Sequence, residues 1–177
     1  MFSLTGVIEA REHKMLEKSI LDEEDVSYDV ESLFTSIPVR ETIDYILKQI
    51  YIEHKLEPIC NKRIFKKLLY KLTTECTFSA NNKLYKQVDG VSMGGPLSVV
   101  FTGCFMNKLE MDVVVPLNPK FYYRFVDDTY NRRKKNQPDI LFKKLNEYHP
   151  NIKFTIEVHP KKFLDTDIIP TGEGLKF

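Results

Sequence analysis

Two adjacent aspartates, Asp127 and Asp128, are the residues whose type and spacing point most directly to chemistry. They lie at the tip of a predicted hairpin, residues 121–126 and 129–133, inside a segment that is otherwise rich in basic side chains. Neighbouring carboxylates repel each other unless a cation neutralises them. Oxygen ligands suit Mg²⁺, which typically takes one or two protein carboxylates together with water and substrate phosphates. The alternative is a solvated β-turn, where aspartate is common.

A third carboxylate, Asp29, lies near the end of a short apolar strand predicted at Val26–Val30. A sheet could bring this strand end beside the hairpin of Asp127 and Asp128. Three carboxylates could then hold two metal ions about 3.5–4 Å apart, as enzymes of in-line phosphoryl transfer do. One ion would activate a hydroxyl nucleophile and the other would neutralise a triphosphate and its leaving pyrophosphate. Taken alone, Asp29 fits an ordinary strand end equally well.

A glycine-rich loop, Gly90–Pro96, is a second candidate for binding a ligand. Gly94 and Gly95 remove side chains where a backbone must approach a ligand, and Pro96 precedes a predicted helix. The segment lacks the spacing and the lysine of a Walker phosphate-binding loop. It is therefore either a ligand-approach loop or a plain loop-to-helix junction.

The elements that must position these residues alternate between short strands and amphipathic helices. The pattern predicts a helix at 9–21, a strand at 26–30, helices at 39–54 and 61–73, strands at 76–79 and 83–88, a helix at 97–112, the hairpin strands, a helix at 138–148, and strands at 151–158 and from 163. This order indicates an α+β fold, an antiparallel sheet with helices packed on one face.

Apolar periodicity assigns an inward face to two of these helices. In the helix at 39–54 that face comprises Ile43, Ile46, Leu47, Ile50 and Tyr51. In the helix at 61–73 it comprises Ile64, Phe65, Leu68, Leu69 and Leu72, with the lysines and Arg63 outside.

The composition limits the class of protein. The 177 residues fit one domain, and 42% hydrophobic residues are enough for a core. The net charge is only +1, low for a protein that grips nucleic acid over a long footprint. Three cysteines without paired spacing argue against disulfides, so we expect an intracellular protein with reduced thiols. Neither a signal peptide nor an apolar run long enough to span a bilayer is visible, so no membrane partner is expected.

Three blocks of this sequence resemble the catalytic motifs of reverse transcriptases. Residues 27–38, Ser-Tyr-Asp-Val-Glu-Ser-Leu-Phe-Thr-Ser-Ile-Pro, resemble the first motif, and their tail is especially similar to that of Penelope-like retroelements. Residues 87–98 resemble the glycine-rich block, and residues 123–129 resemble the Asp-Asp hairpin. Residues 163–165 are similar to the start of a primer-grip hairpin. The resemblance covers about residues 26–170, in the family's order.

The resemblance implies the palm of an RNA-directed DNA polymerase that uses an RNA template, a DNA primer and dNTPs with two Mg²⁺ ions, or Mn²⁺. Asp29 and Asp127 would bind metal directly, and Asp128 would complete the acidic cluster. Phe34 would be an aromatic gate against a 2′-hydroxyl, although a core phenylalanine is the commoner role. The implied nucleotide-pocket residues are Phe34, Gln87, Gly90, Met93, Gly94 and Pro96, and the implied nucleic-acid contacts are Arg132, Arg133, Lys161 and Lys162. These basic residues, like Lys134 and Lys135, also fit a solvated surface.

The sequence departs from the family in ways that leave other interpretations open. The family's usual Gly-Ser-Pro-Leu reads Gly-Gly-Pro-Leu at residues 94–97. Few residues precede Asp29 and the chain stops at Phe177, so we expect a single partial palm, residues 1–177, with fingers and thumb largely missing. One alternative is an inactive or domesticated retroelement fragment that binds nucleic acid or protein. Another is a DNA-templated palm or nucleotidyl cyclase. Nuclear localisation is expected from the resemblance alone.

Overall fold

The computed structural model describes residues 23–164, 166–171 and 174–176, and the helix predicted at 9–21 lies outside them. A π-helical turn, Glu110–Val114, continues the long fourth helix into the fifth. In chain order the elements are β1 (Glu23–Val30), α1 (Leu33–Ser36), α2 (Val39–Tyr51), α3 (Lys62–Thr74), β2 (Thr77–Ala80), β3 (Lys83–Lys86), α4 (Ser98–Leu109), α5 (Val115–Leu117), β4 (Tyr122–Phe125), β5 (Asp128–Lys134), α6 (Ile140–Tyr148), β6 (Phe154–Val158), β7 (Lys162–Phe163), β8 (Thr166–Asp167), β9 (Ile169–Thr171) and β10 (Gly174–Lys176).

The central sheet has four antiparallel strands in the order β4-β5-β1-β6. Strand β1 therefore lies between β5 and β6, although both of these strands come much later in the chain. Its register sets Tyr28 opposite Thr129 on one side and opposite Ile156 on the other. The Thr129 side chain strengthens this pairing, because its hydroxyl accepts from the Tyr28 N–H and donates to the Tyr28 carbonyl at 3.2 and 2.9 Å.

Helices cover one face of this sheet, which confirms the predicted α+β class. Along β1 the buried residues are Val26, Tyr28 and Val30, and the residues between them are more exposed, as expected of a strand buried on one side. The buried face packs on α4, the π-helical turn and α6. The core they form contains Phe105, Met106, Leu109, Val113, Val114, Leu141, Leu145, Ile152 and Phe154.

A second, smaller core lies where α2 and α3 meet α4, and it contains Ile43, Leu47, Leu69, Val91 and Phe101. The apolar face predicted for α2 is confirmed. The face predicted for α3 is wrong in part, because Ile64, Leu68 and Leu72 remain 61%, 47% and 55% exposed. Only the side of α3 that carries Phe65, Leu69 and Thr73 turns toward this core.

Two further observations concern the described residues only. None of their helices is long and apolar enough to cross a membrane. The three cysteines, Cys60, Cys76 and Cys104, are half-buried and carry free thiols.

Candidate active site

Asp29 lies on the face of the central sheet that the helices do not cover. The alternation along β1 buries Tyr28 and Val30 under the helices, so the side chain between them projects to the other side and is exposed. The pairing of Tyr28 with Thr129, carried one residue further, sets Asp29 across from Asp128. Residues facing each other across antiparallel strands have Cβ atoms about 4.5–5.5 Å apart. The sheet therefore brings together two carboxylates that lie far apart in the sequence.

The hairpin that carries Asp127 and Asp128 turns through two residues. Phe125 pairs with Asp128, so Val126 and Asp127 form the turn and Asp128 is the first residue of β5. Val126 has a φ of 56°, a left-handed conformation that a β-branched side chain rarely adopts. Such backbone outliers are found most often at functional sites, where surrounding structure holds them in place.

The acidic cluster, defined as Asp29, Asp127 and Asp128, carries concentrated negative charge. Partial desolvation, followed by the charges of Asp127 and Asp128, raises the pKa of the Asp29 carboxyl. Desolvation and the charge of Asp127 also raise the pKa of Asp128. The charges of both other aspartates therefore act on Asp29, although the three side chains come from different parts of the sequence.

The donor chemistry of the acidic cluster suits a divalent cation. Within residues 23–164 none of the three aspartates forms an ion pair with a lysine, arginine or histidine, so no cationic side chain neutralises their mutual repulsion. Hard, anionic oxygen donors of this kind are the ligands that Mg²⁺ prefers. In the described part of the chain, however, no group of three or more His, Cys, Asp or Glu side chains is already gathered as a metal centre. The role of these aspartates as metal ligands therefore stays a prediction.

A clamp that the sequence did not reveal holds the strained turn. Arg124 on β4 forms a bidentate ion pair with Glu110, in which Nε meets Oε1 and Nη2 lies 3.0 Å from Oε2. Its remaining arm, Nη1, donates to the carbonyl of Val126 at 3.1 Å. Glu110 begins the π-helical turn, a helix defect that is frequent at functional sites. An arginine two residues before the turn was visible in the sequence, but its partner lies 14 residues away on another element.

The glycine-rich loop packs against the first motif, which brings Gly90 and Phe34 together. The Val91 N–H donates to the Phe34 carbonyl at 2.7 Å. Gly90 has a φ of +70°, and a Cβ there would stand 2.3 Å from the Thr35 carbonyl oxygen, so only glycine fits. Phe34 is half-buried against the second core, and both of its predicted roles remain open.

The remaining residues predicted to line the nucleotide pocket are partly exposed to solvent. Met93 is 78% exposed, and Gly94 has a φ of +81° with open space around it. Half-buried Gln87 donates from Nε2 to the Asp89 carbonyl at 2.8 Å. A cavity of about 290 Å³ lies beside Pro96, and its lining is mostly apolar. The residues that line the cavity are Leu72, Thr73, Cys76, Val91, Ser92, Gly95, Pro96, Leu97 and Ser98.

The absence of a side chain at Gly95 has a local explanation. A Cβ on Gly95 would stand 2.7 Å from the hydroxyl oxygens of both Ser92 and Ser98. The Ser98 hydroxyl donates to the Ser92 carbonyl, which anchors the loop to the start of α4. Two serine hydroxyls therefore occupy the space into which a side chain at this position would extend.

The predicted nucleic-acid contacts lie at the sheet's far end and beyond it. Arg132 pairs with Asp25 at 2.8 Å, and Arg133 pairs with Glu24 at 2.9 Å and with Asp139 at 2.8 Å. Both guanidinium groups are thus already bound to protein carboxylates. Lys161 and Lys162 are both exposed, and Lys162 lies 3.5 Å from Asp167. Phosphate binding by these four basic residues stays a prediction.

Comparison with known proteins finds similarity at the level of fold. No protein-family model and no curated protein matches the chain. Among solved structures, the chain is similar to telomerase from Candida albicans, determined in complex with a TWJ fragment of telomeric RNA, with a TM-score of 0.62 and 13% identity. The match covers 89% of this chain but only 30% of the telomerase chain. The chain therefore shares its fold with part of that telomerase chain, and it spans less than a third of that neighbour's length.

Proposed function

We propose that this chain is the palm of an RNA-directed DNA polymerase of the Penelope-like kind. One observation carries the proposal: Asp29 lies near the end of one central strand, Asp128 begins the neighbouring central strand, and the antiparallel register brings these two residues, distant in the sequence, opposite each other, with Asp127 in the adjoining turn. The sequence motifs and the telomerase-like fold support the same interpretation. The substrates would be a DNA primer on an RNA template and dNTPs.

Each member of the acidic cluster has a separate role in this proposal. Asp29 and Asp127 would bind two Mg²⁺ ions, with Mn²⁺ as a substitute, and Asp128 would complete the negative field that attracts them. When bound, such ions lower the pKa of the attacking 3′-hydroxyl and neutralise the leaving pyrophosphate. The chain's own contribution is position: the β1–β5 pairing sets Asp29 opposite Asp128, and the Arg124 clamp holds the β4–β5 turn that contains Asp127.

The nucleotide would lie between the first motif and the glycine-rich loop. Phe34 and Gly90 share a wall there, because the loop is hydrogen-bonded to the backbone of Phe34. An aromatic ring beside the sugar would exclude a 2′-hydroxyl and so select deoxynucleotides. Gly94 has open space where a side chain would extend, which leaves its backbone accessible to a ligand. Gln87, Met93 and Pro96 would complete the nucleotide and template pocket.

A primer-extension assay tests this proposal. The full chain is incubated with a labelled DNA primer on matched RNA and DNA templates, with dNTPs and Mg²⁺ or Mn²⁺. We expect extension on RNA, and a loss of roughly a hundredfold or more in Asp127→Asn, since that substitution removes a proposed metal ligand. Glu147→Gln is the matched control, because Glu147 is an exposed carboxylate on α6, away from the acidic cluster.

Three results would contradict the proposal in different ways. Extension that is equal in Asp127→Asn and the unmodified chain would show that a contaminant supplies the activity. Extension on the DNA template alone would indicate a DNA-templated palm. A folded chain that extends neither template, with either metal, would favour a binding module derived from a retroelement.

A further inference from the structure

One segment that does not contain the acidic cluster carries a large excess of positive charge. Residues 61–88, which comprise α3 and the β2–β3 hairpin, contain seven basic residues and one acidic residue. This segment therefore carries a net charge of +6, and since the whole chain carries +1, the remainder carries −5. An uneven distribution of this size attracts polyanions to one side of the protein and turns the other side away.

Most of this charge is available at the surface. The basic side chains of α3 recur three and four residues apart, so they form one stripe along the helix. Lys66 is paired with Asp44 and Lys71 with Glu75. The others have no ion-pair partner in the part of the chain that the structure describes, and they are Lys62, Arg63, Lys67, Lys83 and Lys86.

The β2–β3 hairpin adds an exposed pair of aromatic rings to this segment. Phe78 and Tyr85 face each other across the strands and stack with their centroids 5.6 Å apart. They remain 53% and 44% exposed, and every residue of both strands is exposed, so no other described element covers the hairpin. The register places Lys83 on the same face as the two rings.

The turn of the hairpin has regular geometry. Ala80 pairs with Lys83, so the turn has two residues, and both of them, Asn81 and Asn82, have positive φ angles of 50° and 57°. Two-residue turns of this kind match the twist of the flanking strands, and asparagine tolerates the conformation well. The rings are therefore held in place by a well-formed hairpin.

We propose that this segment, through Phe78, Tyr85, Lys83 and the unpaired basic residues of α3, binds a single strand of nucleic acid. Exposed aromatic rings beside basic side chains are the usual means of binding single strands, with bases stacked on the rings and phosphates on the cations. A protein partner fits less well, because lysine is depleted at the centre of protein interfaces. The proposal takes the kind of partner from the proposed function, but its site is distinct from the acidic cluster.

The test is fluorescence anisotropy with the full chain. The probes are labelled oligo(dT) and oligo(U) of about 12 nucleotides, within the usual site size for one domain, and a duplex of the same length. We expect Phe78→Leu/Tyr85→Leu to weaken single-strand binding by roughly 5- to 100-fold, while Tyr85→Phe, which keeps the ring, binds normally. Comparing dT with U shows whether the strand is DNA, RNA or either.

Charge variants keep the test valid if the leucine variant loses the hairpin. Lys83→Gln leaves the ring pair intact, and we expect it to lower the salt dependence of binding, the slope of log K against log salt, by about 0.7. Lys62→Gln/Lys67→Gln should lower that slope by about 1.4. Lys144→Gln, an exposed lysine on α6, is the matched control and should leave the slope unchanged.

The outcomes separate this proposal from the polymerase proposal. Unchanged binding in both the leucine and the Lys83→Gln variants would overturn it, and so would an equal loss in Lys144→Gln or equally tight binding of the duplex. Binding that survives in Asp127→Asn while extension is lost would support both proposals. Binding by a chain that never extends a primer would support this one and contradict the other.

Discussion

The Arg124–Glu110 clamp gives the sharpest prediction about the stability of the site. Both side chains are mostly removed from solvent, with 17% and 18% exposure, and they meet through two parallel contacts. Removing one partner of a buried ion pair typically costs about 3–5 kcal/mol, because the other charge is left unpaired. Because both side chains keep some contact with solvent, the loss of stability should lie at the lower end of this range. We therefore expect Arg124→Ala to lower the free energy of unfolding by about 3 kcal/mol, which corresponds to roughly 6–12 °C in Tm.

Urea denaturation of Arg124→Ala, Glu110→Ala and the double variant measures the effect. If the pair acts as a unit, the double variant loses at least about 1 kcal/mol less than the sum of the single losses. Arg124→Lys should recover little, because lysine cannot form the two parallel contacts and the third bond to Val126. Glu147→Ala breaks an exposed ion pair with Lys143 and should cost under about 0.5 kcal/mol.

Two results would refute this reasoning. A loss below about 1 kcal/mol in Arg124→Ala would mean that the pair contributes no more than a surface ion pair. Additive losses in the double variant would mean that the two residues act independently, so the turn at Val126 would owe its shape to something else.

The site supports three other predictions. Gly90→Ala should lower the free energy of unfolding by about 2–4 kcal/mol, because the new Cβ would clash with the Thr35 backbone. Gly103→Ala, in a helix with open space around the position, should raise that free energy by up to about 1 kcal/mol, and chemical denaturation compares the two variants. Asp128 has a raised pKa in the folded state, so the metal-free protein should lose stability as the pH rises from the ordinary carboxyl value of 3.8 through the folded pKa. In unfolding measured against pH, Asp128→Asn should flatten this dependence. An unchanged dependence would contradict the electrostatic effect of Asp127 on Asp128. Mg²⁺ at about 100 times its Kd should stabilise the unmodified chain by about 2.7 kcal/mol and stabilise Asp128→Asn less in a thermal shift assay, and equal shifts in both would argue against a metal site at the acidic cluster.

Local sequence patterns predicted the helices and strands well where one face of the element is buried and the other is exposed to solvent. The apolar spacing of Ile43, Leu47 and Ile50 located α2, and the Asn81–Asn82 pair located the turn of the β2–β3 hairpin. The same method misplaced several of the apolar residues of α3. Periodicity reports that residues share a helix face, but it does not report whether another element covers that face.

For the candidate site, too, some features could be predicted from the sequence and others could not. Residue order alone predicts the chemical nature of the parts: a carboxylate at a strand end, a carboxylate pair in a hairpin, a glycine-rich loop and the strand–helix order of an α+β fold. These depend on local backbone preferences and on side-chain chemistry, which act over a few residues.

Which of these parts come into contact depends on the three-dimensional packing of the chain. The pairing of β1 with β5 places Asp29 across from Asp128. The π-helical turn carries Glu110, which pairs with Arg124, and Gly90 packs against the backbone of Thr35. Each of these contacts joins residues from different elements, and strand order, helix packing and charge pairing select them together. No spacing along the chain encodes that selection, because its energy arises only when the whole core has formed.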